Sequence, residues 1–162
     1  MVICGKNAVS VPTFRGVNQV SVDAKGRMAM PSRYRQLLHG HCDGQLVITA
    51  DCDGCLLVYP LPQWPEIESQ LMKLPNFSKQ VRFLQRIVLG YATECAMDAH
   101  GRFLLPPPLR EFAHIGKQAA LIGQGAKFEL WDYQSWSKQR DIWMKEESDT
   151  KDVHEVLEKV RL

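Results

Sequence analysis

Val20 and Val22 alternate with polar neighbours, the two-residue period of a half-buried strand. Asp23, Ala24, Lys25 and Gly26 then break the apolar pattern as a turn, with Gly26 free to take positive φ. Residues 27–30 read as a short return strand. Pro31 opens a brief helix through residue 38, since its missing N–H does no harm in a first turn. Residues 45–50 and 56–59 read as strands around an Asp53-Gly54 hairpin turn. The same order then recurs. Tyr91, Thr93, Cys95 and Met97 alternate toward Asp98, residues 102–105 return, and Pro106, Pro107 and Pro108 open a helix. Residues 119–122 and 128–131 form the later strand pair.

Helices are predicted to follow each copy. Residues 65–74 form one. Asn76 reads as the N-cap of the next, with Phe77, Val81, Leu84 and Val88 along one face. Residues 134–147 carry Trp136, Trp143 and Met144. Residues 149–160 place Val153, Val156, Leu157 and Val160 on one stripe opposite a charged face. Docking of this helix on the core is the expectation; pairing with a neighbouring subunit and mobility are the alternatives.

The recurrence is a duplication and not a shared style. Asp, Ala, Gly, Arg and Pro repeat between residues 23–31 and 98–106 at a constant separation of 75, and Arg35 and Arg110 share that separation. Tyr59 and Trp64 correspond to Trp131 and Trp136 at a separation of 72, so the second copy is about three residues shorter in between.

Charge sharpens this picture. The net charge of +2 is too small to announce a nucleic-acid partner. Its distribution is uneven: residues 14–35 hold five basic side chains and one acid, while residues 141–162 hold seven acids and four bases. No apolar run approaches the roughly 20 residues of a membrane span, and the first residues lack the pattern of a secretory signal, so a cytoplasmic protein without membrane partners is expected. The five cysteines, Cys4, Cys42, Cys52, Cys55 and Cys95, are odd in number and read as free thiols.

The chemistry-bearing motif is Asp-x-x-Gly-Arg at a turn, present twice. Asp23 and Asp98 can accept hydrogen bonds from turn N–H groups and pair with the arginine four residues on. Gly26 and Gly101 permit the reversal, and these four residues read as builders of the turn. Lys25 and His100 hold the exposed middle positions, and the charge of His100 depends on pH. Arg27 and Arg102 divide between bracing the turn and contacting phosphate or base edges. The two roles are compatible, because a guanidinium has five donors.

Two other chemistries compete. Cys52 and Cys55, with His39, His41 and Cys42 upstream, suggest zinc or a redox pair. However, they flank a hairpin turn whose counterpart at residues 123–125 has no cysteine, and a second CxxC is missing. No metal and no cofactor are expected. An enzyme is not expected either, because neither a nucleophile–base–orienter set nor a GxxxxGK phosphate loop is present. A scaffold or antitoxin-like binding module is the remaining class.

Phe14-Arg15-Gly16, the run from Val22 to Arg27, Pro31-Ser32-Arg33-Tyr34-Arg35, the second Asp98-Ala99-His100-Gly101-Arg102 motif and Gln85-Arg86 before Gly90-Tyr91-Ala92 closely resemble the MraZ family over about residues 14–147. The resemblance implies an α+β fold: two tandem AbrB-like swapped-hairpin modules forming a pseudo-dimeric β-barrel with flanking helices. It implies residues 14–75 as the first module, 76–147 as the second with its connecting helix, and 148–162 as a C-terminal amphipathic helix. It further implies a nucleoid-associated homo-oligomeric ring. Such a ring would bind double-stranded DNA at promoter direct repeats upstream of the division and cell-wall gene cluster, chiefly as a repressor. The DNA-facing residues carried over are Arg15, Lys25, Arg27, His100 and Arg102. This chain departs from the family pattern at two places. Thr13 stands where members usually begin with Met, leaving residues 1–13 as a disordered extension or an overlong gene start. The second motif carries His100 at its middle position.

Overall fold

A computed structural model describes residues 10–146 and 151–160. Residues 1–9 of the anticipated extension, with Cys4 and Lys6, lie outside the described residues, as do 147–150 and 161–162.

The duplicated pattern folds into two copies of one unit. The first holds β1 (Phe14–Ser21), β2 (Arg27–Ala29), α1 (Ser32–Cys42), β3 (Gln45–Ala50) and β4 (Leu56–Pro60). A 3₁₀ turn at Leu61–Gln63 leads into α2 (Trp64–Lys73), then α3 (Lys79–Leu84) and a π-helical turn at Gln85–Leu89. The second holds β5 (Thr93–Ala96), β6 (Arg102–Leu104), α4 (Pro107–Phe112), β7 (Gln118–Gly125) and β8 (Phe128–Asp132). Helices α5 (Tyr133–Glu146) and α6 (Lys151–Glu158) follow.

The copies do not fold side by side; they exchange strands. The main sheet has six antiparallel strands in the order β1-β7-β8-β4-β3-β5. The first strand of each copy thus pairs with the third strand of the other: Val20 lies opposite Ala119, and Cys95 opposite Leu46. A separate two-stranded ribbon joins β2 to β6. The register defines a pseudo-two-fold axis. Met28 faces Phe103, its own counterpart, and Leu57 faces Glu129, also its counterpart. Pairing ends at β1 and β5, so the hydrogen bonding does not close the sheet into the anticipated barrel.

Burial explains the arrangement. Leu46, Ile48, Leu121 and Leu130 point from one face of the sheet into a core shared with Met28, Met30 and Leu38 from the first copy and Phe103, Leu105 and Leu109 from the second. Phe14 and Phe128 stack in it with ring centroids 4.2 Å apart. Each buried leucine contributes roughly 1.5–3 kcal/mol. Neither copy can collect this core alone. The opposite face carries two smaller clusters. Val47 packs with Trp64 and Val88, while Ala120, Ile122 and Cys55 pack with Trp131, bordered by Trp136 and Trp143. The Tyr59–Trp64 and Trp131–Trp136 pairs recur at 5.8 and 6.0 Å, as the duplication requires.

Three local readings are corrected. The first helix continues past residue 38 to Cys42, where Asp43 adopts the left-handed conformation and ends it. Asn76 is not the N-cap of α3: the Ser78 hydroxyl accepts the Val81 N–H at 3.1 Å, and Phe77 falls before the helix, almost fully exposed. The stripe on α6 does not dock on the core, since Val156, Leu157 and Val160 remain exposed.

Candidate nucleic-acid interface

Each Asp-x-x-Gly-Arg turn is closed by its aspartate. Asp23 Oδ1 accepts the backbone N–H groups of Lys25 and Arg27, both at 2.9 Å, and Oδ2 accepts Arg27 Nε at 2.8 Å. Asp98 repeats this with the His100 and Arg102 N–H groups at 2.8 and 2.9 Å and Arg102 Nε at 3.0 Å. Gly26 and Gly101 take φ of 87° and 76°, and each N–H donates to its aspartate's carbonyl at 3.0 Å. The Arg27 backbone N–H, above all, holds the Asp23 carboxyl below its ordinary value of 3.8. Partial desolvation opposes this, while the Arg27 guanidinium and the Lys25 N–H add to it. The Arg102 N–H does the same for Asp98.

The arginine side chains remain 57% and 62% exposed, so these ion pairs do little for stability. Their effect is geometric. Nε is committed to the aspartate, while more than half of each arginine side chain stays open to solvent. Arg27 and Arg102 line one groove of about 520 Å³ across the β2–β6 ribbon, with Asp23, Asp98, Ala29 and Leu104. Alternation turns Met28 and Phe103 into the core and both arginines onto the open face. The strand exchange therefore sets the two turns on either side of one axis, with Lys25 and His100 exposed at their tips.

Arg15 is exposed but not part of this group. It sits near the start of β1, opposite Gln124, six residues from the strand end that enters the turn, or about 20 Å along the strand. Two residues gain roles that the sequence did not assign. Arg110 Nη1 donates to the Asp23 and Ala24 carbonyls at 3.2 and 3.4 Å, while its Nε is held by the Ile115 carbonyl at 3.0 Å. Arg35 donates to the Met30 carbonyl at 2.6 Å and lies over Gly101, where an added Cβ would come within 2.7 Å of Arg35 Cδ. Each copy's helix arginine thus braces the other copy's turn. Their shared separation of 75 was the one signal in the sequence. Lys117 was missed altogether: it is exposed, and its carbonyl accepts the Val22 N–H at the entrance to the first turn.

The cysteine alternative gains no support. Burial first, then Asp51 and Asp53, pushes the Cys52 thiol up. Burial, Glu129 and Asp51 push the Cys55 thiol far above its usual range, which disfavours a thiolate ligand or nucleophile. Among the described residues no three His, Cys, Asp or Glu side chains converge in a way that could hold a metal ion. No described helix is long and apolar enough to cross a membrane.

Fold and site together define a class: a tandem-duplicated, strand-exchanged α+β protein that displays matched cationic turns about an internal two-fold axis. The family model of the "MraZ protein", described as antitoxin-like, matches the chain twice, at residues 13–87 and 88–159. A Transcriptional regulator MraZ from Thioalkalivibrio sulfidiphilus is 58% identical over 149 residues, covering 92% of this chain and 99% of that protein. Proteins of the same name from Methylococcus capsulatus and Pseudomonas aeruginosa are 55% and 53% identical, covering 83% and 76% of this chain and 89% and 83% of their own lengths. The chain belongs to the MraZ family.

Proposed function

We propose that this chain is a sequence-specific regulator of transcription that binds double-stranded DNA through its two axial turns. The observation carrying this reading is the exposure of Arg27 and Arg102 in one groove, each with Nε fixed by an aspartate. A guanidinium held in this way is ready for bidentate contact with phosphate or a guanine edge. Lys25 and His100 add phosphate contacts at the turn tips, and Arg15 serves the flank of the contact. The swapped-hairpin, AbrB-like pseudo-dimer is the scaffold. The names of its relatives support regulation of transcription over an enzymatic role.

The axis is imperfect in a way that bears on the operator. Lys25 of the first copy corresponds to His100 of the second, and Ala29 to Leu104. One chain therefore presents unequal halves to a duplex and suits a non-palindromic site. Successive subunits of a homo-oligomeric ring would then read such sites as direct repeats. The target is the region upstream of the division and cell-wall gene cluster, and the action is chiefly repression. The protein works in the cytoplasm, on the nucleoid. Each subunit displaces few counterions, so engagement of several repeats supplies the affinity.

Electrophoretic mobility shift on the chain's own upstream region tests this. Wild-type protein is expected to shift a fragment with intact repeats and not one with scrambled repeats. Arg27→Ala and Arg102→Ala are each expected to weaken binding about tenfold or more and to lower the salt slope by about one, with the fold retained. Unchanged affinity in both variants at moderate salt overturns the assignment.

A further inference from the structure

We infer that the corner between α2 and α3 is a docking surface for α6 of a second copy of this chain. The inference deepens the ring reading above and rests on it; the contact itself is tested without DNA.

The corner is apolar where a monomer has no use for apolar groups. Phe77 is 90% exposed, and Met72 and Phe83, five residues before it and six after it in the chain, are exposed as well. Large apolar side chains left in solvent along one short stretch are typical anchors of an interaction surface. The local structure holds the corner open. Ser78 caps α3, and Arg82 Nη1 ties the Asn76 and Phe77 carbonyls at 2.9 Å, which fixes Phe77 outside the helix. The charges around it are chiefly basic, with Lys73, Lys79, Arg82 and Arg86, while Glu68 lies one turn before Met72 on α2.

Helix α6 is the complement. Val153, Val156, Leu157 and Val160 recur at the spacing of a single helix face, and the last three are exposed. Asp152, Glu155 and Glu158 outnumber Lys159 over residues 152–160, so a mildly acidic, apolar-faced helix meets a mainly basic, apolar corner. Both surfaces stay open within one chain, which leaves another molecule as the partner. The two surfaces are different from each other, so the contact is head-to-tail. Such a contact closes into a ring when the rotation between neighbours permits. Every subunit is then both donor and acceptor of a helix, and the axial turns recur around the assembly.

Complementation between two defective variants tests the geometry. Phe77→Asp destroys the corner and keeps α6; Val156→Asp with Val160→Asp destroys the stripe and keeps the corner. All these positions are exposed, and circular dichroism checks the fold. By light scattering at tens of micromolar, wild-type protein is expected to be a closed oligomer and each variant a monomer. An equimolar mixture of the variants is expected to form a dimer with one intact contact and nothing larger. Lys79→Glu is expected to weaken association several-fold, and Glu158→Lys in the same chain to restore it. Variants that keep the wild-type mass, including by folding of α6 onto its own chain, overturn the interface while leaving the DNA reading standing. A wild-type monomer overturns both interface and ring. Complementation together with failure of the wild-type protein to shift DNA supports the interface and overturns the DNA reading alone.

Discussion

The turn aspartates illustrate how an exposed ion pair can matter without stabilising the fold. Asp23 and Asp98 each collect two backbone N–H groups and one guanidinium nitrogen, and this lowers their pKa below 3.8. A carboxyl whose folded value is depressed contributes fully above its unfolded value and loses that contribution as pH falls through the lower folded one. The turns should therefore keep their geometry throughout the neutral and mildly acidic range and loosen only below about pH 4. The amide resonance of Lys25, whose N–H is held by Asp23, is expected to hold constant from pH 7 to 5 and to shift below about pH 4. Asp23→Asn tests the positioning role. It keeps the shape, removes the charge and lets Arg27 swing. DNA affinity is expected to fall several-fold while the melting temperature moves little, because the pair is solvent-exposed. A large loss of stability with unchanged affinity would make Asp23 a structural residue only.

At the scale of elements, the bracing of each turn by the opposite copy's helix sets the rigidity of the interface. Arg110 ties the Asp23 and Ala24 carbonyls to α4, and Arg35 fills the space above Gly101 from α1. Arg110→Ala removes the ties and is expected to speed hydrogen exchange at residues 23–27 and to weaken DNA binding. Arg110→Lys, which keeps one donor, is expected to recover part of both. Protection of the first turn that is unaffected by Arg110→Ala would show that Asp23 alone suffices. The sequence disclosed these elements unevenly. The turns were legible because Asp, Gly and alternating valines act locally, and the helix starting after Pro31 was legible because proline fixes its own backbone. The strand exchange was not legible from the pattern, because the same apolar stripe on β1 would pair equally well with β3 or β7; it entered only through the family resemblance. The π-helical turn at Gln85–Leu89 also escaped. Its Val88 carbonyl is taken by the hydroxyl of buried Thr49, 39 residues away in sequence, which no local signal reveals. The family resemblance groups Arg15 with the turn residues, yet strand geometry carries it to the far end of β1.

At the scale of the whole molecule, exchange of strands makes the two copies one folding unit. The shared core draws Met30 and Leu38 from one copy and Leu105 and Leu109 from the other, and among the described residues β1 has no sheet partner except β7. A chain cut after residue 90 would leave β1 unpaired and β3 without its outer neighbour, so the fragment cannot complete a core as a monomer. It can complete one by pairing with itself. Across the axis of such a homodimer, Met28 would meet a second Met28 in place of Phe103, and Leu57 a second Leu57 in place of Glu129. Both replacements are apolar and of compatible volume. The fragment of residues 1–90 is therefore expected to be unfolded when dilute and to gain strand and helix signal together as a dimer when concentrated. Its unfolding midpoint should rise with protein concentration, as linked folding and association require. The intact chain, with both copies tethered, should unfold in a single transition independent of concentration when studied in the Phe77→Asp background, where the proposed contact between subunits is removed. A fragment that folds as a monomer with a concentration-independent midpoint would mean that each copy carries its own core, and the exchange of strands would then be wrong.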